Sequence, residues 1–252
     1  MLPPKPTLKK PVTAVSRAAH ILRYLGKRDT PAGVNAIAKD LDIVPSTCLH
    51  ILRTLSHENL TVFDPATKRY RLGPAVLSLS RDALANSDFV REARPRLDGL
   101  AERHGVTVTA TELDNAEHMV VVAIARARQN LSIHVNVGSR FPALISASGR
   151  CYAALSDWSK EELRERFSAL QWQNPPRFND WLKEVETARG DGYAIDRSTY
   201  LRGIVIAAAP VLDGEGRATR ALAAIGFADQ LAGKAALKLA RDVKRAGDFL
   251  SE

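Results

Sequence analysis

Ser46, His50, Arg53 and His57 recur at intervals of four, three and four residues within PSTCLHILRTLSH. That spacing puts a hydroxyl, two imidazoles and a guanidinium on one face of an α-helix. Cys48, Leu52 and Leu55 fall on the opposite face, so one side can pack while the other meets a polar partner. Hydrogen-bonding groups with a fixed cation are what reading base edges in a major groove requires. Ser46 and Thr47 stand in the first turn, where short hydroxyls and unpaired amides can hold a phosphate or a base edge. Capping alone would also account for Ser46 and Thr47, and a solvated face for His50 and Arg53. Their occurrence as one set favours DNA contact.

The elements around this face agree with that chemistry. Val15, Ala18, Ala19, Leu22 and Leu25 predict a helix over about 13–27, which Gly26 and the stretch after it end. Val34, Ile37, Ala38 and Leu41 predict a second, Asp42-Ile43-Val44 a turn, and Pro45 the first position of the third. Two strand-like runs, 60–63 and 69–72, flank Asp64-Pro65-Ala66-Thr67-Lys68, a hairpin whose Lys68, Arg69 and Arg71 make it basic. Three short helices and a basic hairpin form a winged helix-turn-helix, with Lys68 and Arg69 expected on the DNA backbone. Charge is placed accordingly. Residues 1–72 hold 12 Lys and Arg against 5 Asp and Glu, a net +7, whereas the other 180 hold 24 against 23, a net +1.

At this point the chain resembles the IclR family of transcriptional regulators. The resemblance is carried by AVSRAAHILRYL in the opening helix, PSTCLHILRTL in the recognition helix and YRLGPAVLSL after the wing. It departs at His50, where relatives usually have Arg. Beyond the wing, Gly73-Pro74 interrupts the chain and Ala75, Leu77, Leu79, Ala83 and Leu84 predict a linker helix at 74–86. A further helix is expected at 89–104 and strands at 106–113, 119–125 and 131–137, with a hairpin loop at 114–117. Helices follow at 146–155, 159–168 and 178–189, strands at 193–196, 204–211 and 221–226, and a closing helix at 233–250. Strands with hairpins, flanked by helices, argue for an α+β domain with an antiparallel sheet. The resemblance implies that it is a GAF-like effector-binding domain. The expected division is a flexible basic arm at 1–12, the winged domain at 13–73, the linker helix at 74–88, and effector binding and oligomerisation at 89–252.

The resemblance also implies where an effector would sit. Two stretches resemble pocket segments of the family: 192–203, which includes Tyr200 and Leu201, and Gly138-Ser139-Arg140-Phe141-Pro142 running into a helix start at Ser146, Ala147, Ser148 and Gly149. Their amides, two hydroxyls and positive helix end could trap a carboxylate, although an ordinary helix start has the same parts. Asp196 matches a pocket-lining position and could accept a hydrogen bond from a ligand hydroxyl; nearby, Thr199 stands where relatives often have Glu. Ile206, Ala223 and Ile225 stand where relatives that bind small oxoacids place Cys or Ser. An apolar lining favours an apolar ligand body and penalises unpaired polar atoms. The expected effector is therefore a small organic acid with an aromatic or apolar body, though Ile206 and Ile225 could equally be plain core.

Other chemistry is not indicated. The sequence has no G-x-S-x-G, P-loop, H-E-x-x-H or C-x-x-C motif. Its six histidines lack metal-ligand spacing, and Cys48 and Cys151 read as free thiols of a cytoplasmic protein. No run of 18 apolar residues is present, and the basic, proline-rich N-terminus lacks the apolar core of a secretory signal. The reading is a cytoplasmic, non-enzymatic regulator of a catabolic operon, a homodimer or homotetramer without cofactor or membrane contact, whose partners are operator DNA and a small-molecule effector. A DNA-binding oligomerisation protein without effector, or a small-molecule enzyme with an appended helical domain, are the alternatives.

Overall fold

The computed structural model describes residues 12–114, 118–127 and 135–251. The arm expected at 1–12, the hairpin loop at 114–117 and the strand at 131–137 therefore lie wholly or largely outside the described residues. Val135, Asn136 and Val137, which are described, are not in a strand. The chain forms two compact units that divide between Asn86 and Ser87. Among the described residues no helix is long and apolar enough to cross a membrane.

The first unit contains α1 (Thr13–Gly26), β1 (Ala32–Gly33), α2 (Val34–Asp40), α3 (Pro45–His57), β2 (Thr61–Asp64), β3 (Arg69–Leu72) and α4 (Ala75–Ala85). Ile21 and Leu25 of α1, Ile37 of α2 and Cys48 and Leu52 of α3 close one core over Tyr70. Val15, expected on the apolar stripe, is 67% exposed: the stripe runs one turn beyond the core it packs on. Asp42 takes φ +52° in the α2–α3 turn. Behind α3, Thr61 is buried and its hydroxyl donates to the Leu52 carbonyl at 3.3 Å, fixing the wing to the helix. The wing is an antiparallel sheet in the order β1-β3-β2. A Cβ on Gly73 would stand 2.1 Å from the Asn59 carbonyl oxygen, so only glycine lets the chain leave the wing there.

The second unit begins with α5 (Asp88–His104), capped by Ser87, whose hydroxyl accepts the Val90 amide, and ended by Gly105 at φ +63°. There follow β4 (Thr107–Asp114), β5 (His118–Arg126), β6 (Arg140–Pro142), α6 (Ser146–Ala154), α7 (Lys160–Ser168), α8 (Phe178–Asp191), β7 (Ala194–Arg197), β8 (Ile204–Leu212), β9 (Ala218–Phe227) and α9 (Lys234–Phe249). The six strands form one antiparallel sheet in the order β6-β5-β4-β9-β8-β7. α5 and α9 pack on one face; α6 packs on the other and carries α8. This is the expected α+β fold, with short β1 and β6 added.

Alternation sorts the strands between the two faces. In register, Thr109 pairs Ala223 and Ala223 pairs Ala208, while Thr107, Ile225 and Ile206 form the next row. These side chains share the α6 side. Val108, Ala110, Leu222 and Ala224 lie between them and are fully buried on the α5–α9 side. A bulge between Ala110 and Thr111 resets β5, so Met119 and Val121 join the α6 side and Ala123 the other.

Candidate functional site

In the first unit, Ser46, His50, Arg53 and His57 are exposed along α3 and Thr47 is half-buried, while Cys48, Leu52 and Leu55 are buried. Pro45 at the start of α3 gives up no helical hydrogen bond there. Between α3 and the wing lies an open groove of about 580 Å³. Arg53 and Ser56 line it from the helix, and Phe63, Lys68 and Tyr70 from the wing. Lys68 adopts φ +54° at the hairpin tip, held by Asp64. The Asp64 carboxylate accepts the Thr67 hydroxyl at 2.6 Å and the Ala66 amide at 2.9 Å, and these bonds hold its pKa below the usual carboxylate range. Arg53 and Lys68 thus meet across one groove. Arg69 does not join them: it alternates with inward-facing Tyr70, and its guanidinium donates to the Pro31 carbonyl at 3.4 Å.

In the second unit a cavity of about 170 Å³ opens between the α6 side of the sheet and α6 itself. Ser146, Ser148, Ile206, Ala223 and Ile225, singled out in the sequence, all line it. So do Phe141 and Pro142 on β6 and Tyr200 and Leu201 on the loop after β7, which belong to the two segments that resemble the family's pocket, and residues that were not singled out: Thr109 and Thr111 on β4 and Met119 on β5. The threonines had a signal, the alternation of Val106, Val108 and Ala110 with Thr107, Thr109 and Thr111. The lining is mostly apolar, and among the described residues none that lines it is a Lys, Arg, His, Asp or Glu. Its polar groups are hydroxyls and the first turn of α6. Thr109 and Thr111 donate to the Ala223 and Ala221 carbonyls, at 3.3 and 3.2 Å, leaving oxygen lone pairs toward the cavity. Burial pushes the Tyr200 phenol up, so it stays a neutral donor. Ser146 sits at φ +64°, a strained conformation for a residue with a side chain.

Ala147, Gly149 and Asp196 are placed elsewhere. Ala147 is fully buried in the core beneath α6. Gly149 lets α6 cross the preceding chain, since a Cβ there would be 2.0 Å from the Leu144 carbonyl carbon. Asp196 is 1% exposed and does not line the cavity. Its carboxylate is taken up by Arg150 at 3.0 Å and by the Thr199 and Tyr200 amides. A ligand hydroxyl would have to displace bonds already made.

Cys151 is buried and its thiol, donating to the Ala208 carbonyl, is pushed up to about 12 by burial, so it is no nucleophile. Among the described residues no three His, Cys, Asp or Glu side chains come together as metal ligands.

Two family models match the chain. One describes the IclR helix-turn-helix domain and covers residues 14–65; the other describes the bacterial transcriptional regulator IclR C-terminal region and covers 81–252. The HTH-type transcriptional repressor AllR of Escherichia coli is 26% identical over 232 residues, 90% of this chain and 84% of that protein. Among solved structures, an IclR transcriptional regulator from Alicyclobacillus acidocaldarius superposes with a TM-score of 0.86 at 24% identity, covering 96% of this chain and 98% of the other. An IclR homologue from Microbacterium hydrocarbonoxydans, solved in complex with 4-hydroxybenzoate, superposes with a TM-score of 0.73 at 18% identity over 94% and 98%.

Proposed function

We propose a ligand-switched control of operon expression, on the premise that the chain belongs to the IclR family of bacterial transcriptional regulators. Members of that family regulate transcription and are not enzymes. The finer reading is that this chain binds an operator controlling a catabolic operon and that a small organic acid with an aromatic or apolar body alters that binding. The cavity carries this reading. It is lined mainly by apolar side chains, with the hydroxyl-bearing Thr109, Thr111, Ser146, Ser148 and Tyr200 among them. An apolar cavity of about 150 Å³ accommodates a benzene ring, so about 170 Å³ suits one ring with a short polar group. Ile206, Ala223 and Ile225 would meet the ring. The first turn of α6, with the hydroxyls of Ser146 and Ser148, would meet the polar end. The 4-hydroxybenzoate found in the Microbacterium homologue is a ligand of this class.

On the DNA side, Ser46, Thr47, His50 and Arg53 are assigned to the major groove, and Lys68 and Arg69 to flanking phosphates. Half-sites read by such a helix suit a homodimer or homotetramer. Leu77 and Leu79 of α4, 72% and 61% exposed in the single chain, support burial against a second copy. A role on operator DNA supports a cytoplasmic location.

The test is a titration of promoter-containing DNA with full-length protein, with and without benzoate, 4-hydroxybenzoate, glyoxylate or pyruvate, alongside calorimetry of each acid. An aromatic acid that binds and shifts DNA affinity supports the reading. Tight binding confined to glyoxylate or pyruvate defeats the apolar-body assignment. DNA binding that no acid changes favours an oligomerising DNA-binding protein without an effector.

A further inference from the structure

Arg150 lies one turn into α6, and its side chain is only 1% exposed. Its guanidinium donates to four oxygens: the Ser146 carbonyl at 2.8 Å, Asp196 Oδ2 at 3.0 Å, Thr199 Oγ1 at 3.1 Å and Glu184 Oε2 at 2.5 Å. Asp196 is equally buried and uses its other oxygen to accept the backbone amides of Thr199 at 3.0 Å and Tyr200 at 3.3 Å. Two walls of the cavity therefore converge on one ion pair that lies outside it. One wall is the first turn of α6, with Ser146 and Ser148; the other is the loop bearing Tyr200 and Leu201.

A buried ion pair is a poor device for stability, because desolvation of both charges offsets most of their attraction. Apolar residues of similar volume often hold a fold as well or better. What they cannot supply is a forked donor that fixes two backbone segments at set distances. We propose that Arg150 and Asp196 are positioning residues of the cavity. They hold the left-handed Ser146 and the 199–201 loop at one separation, and so set which ligands the cavity admits, without touching the ligand. This rests on the reading of the cavity as the effector site.

The experiment uses the full-length protein as wild type, Asp196→Asn, and the apolar double variant Arg150→Met with Asp196→Leu. Amide hydrogen exchange by mass spectrometry needs no ligand. In Asp196→Asn, amides at 146–148 and at 199–201 should exchange faster together, by about tenfold or more, while those of α3 and α9 keep their rates. The double variant should recover the wild-type melting temperature yet keep both segments fast. A pair with only a structural role would give the opposite, slow exchange returning with stability. A rise confined to 199–201, the segment Asp196 itself caps, also overturns the proposal. Should Asp196→Asn not fold, Thr199→Val, which removes one shared hydroxyl, should give a smaller rise in the same two segments. A second readout is binding of benzoate and 4-hydroxybenzoate: their affinity ratio should move toward one in the double variant. Coupled exchange in a wild type that binds neither acid would defeat the effector reading and leave the positioning role standing.

Discussion

At the scale of single residues, function rests on which side chains face a partner and which are already committed. Arg53 is exposed on α3 and Thr47 half-buried in its first turn, and Arg53→Ala and Thr47→Ala should each weaken operator binding by about 1–3 kcal/mol if they read bases. Equal losses on operator and random DNA in a mobility-shift assay would mark them as phosphate contacts instead. In the cavity, Ala223 stands where added methylenes would enter empty space. Ala223→Leu should abolish binding of an aromatic acid in calorimetry while costing less than the about 1–3 kcal/mol of overpacking a filled core. Unchanged affinity would place the ligand elsewhere. Five of the eight cavity residues named from the sequence line the cavity, because strand alternation and a helix start are local patterns. Asp196 does not, because its partner Arg150 lies 46 positions away, and no local pattern shows that an acceptor is already occupied. Tyr200 was legible only as part of the 192–203 segment that resembles the family's pocket, since an irregular loop has no period to single it out.

At the scale of elements, one close approach and one buried carboxylate hold the second unit's frame. Gly149 lets α6 pass the Leu144 backbone, and an added Cβ cannot be accommodated without moving one of them. Gly149→Ala should destabilise by about 1–3 kcal/mol or more and lower acid affinity with it, as thermal melts and titration would show. Loss of neither would mean that α6 can shift freely. On the opposite face, α5 is tied to α9 by His104 Nε2, which donates to Asp242 at 2.8 Å, with Arg245 donating to the other oxygen. Burial alone would raise the Asp242 pKa, but these hydrogen bonds and charges together outweigh it and leave the pKa lowered. A depressed folded pKa stabilises in full above the unfolded value of about 3.9 and stops doing so as pH falls through the folded one. Asp242→Asn should thus melt lower than wild type at pH 7, the gap narrowing below about pH 4. A gap constant from pH 7 to 3 would show that the carboxylate charge contributes nothing. Long amphipathic elements such as α5 and α9 were legible to within a residue or two. β1 and β6, of two and three residues, were not, since so short a run shows no alternation.

At the scale of the whole molecule, charge and cavity are segregated along the chain, so the proposed switch requires that the two be coupled. The net +7 over residues 1–72 suits that region to a polyanion, whereas the remainder is near neutral. Affinity for DNA should fall steeply with salt, and Lys68→Ala should reduce the slope of log affinity against log salt by about 1 for a phosphate contact. An unchanged slope would remove Lys68 from the backbone. Regulation then demands a coupling free energy between cavity and DNA, and such coupling is reciprocal. If an acid weakens operator binding by a given factor, typically about 5–150-fold, saturating operator must weaken that acid's binding by the same factor. Calorimetry of the acid into free and operator-bound protein, set beside DNA titrations at matched salt, checks the equality. Equal acid affinities in the two states would mean that occupancy of the cavity does not reach DNA, however tightly the acid binds.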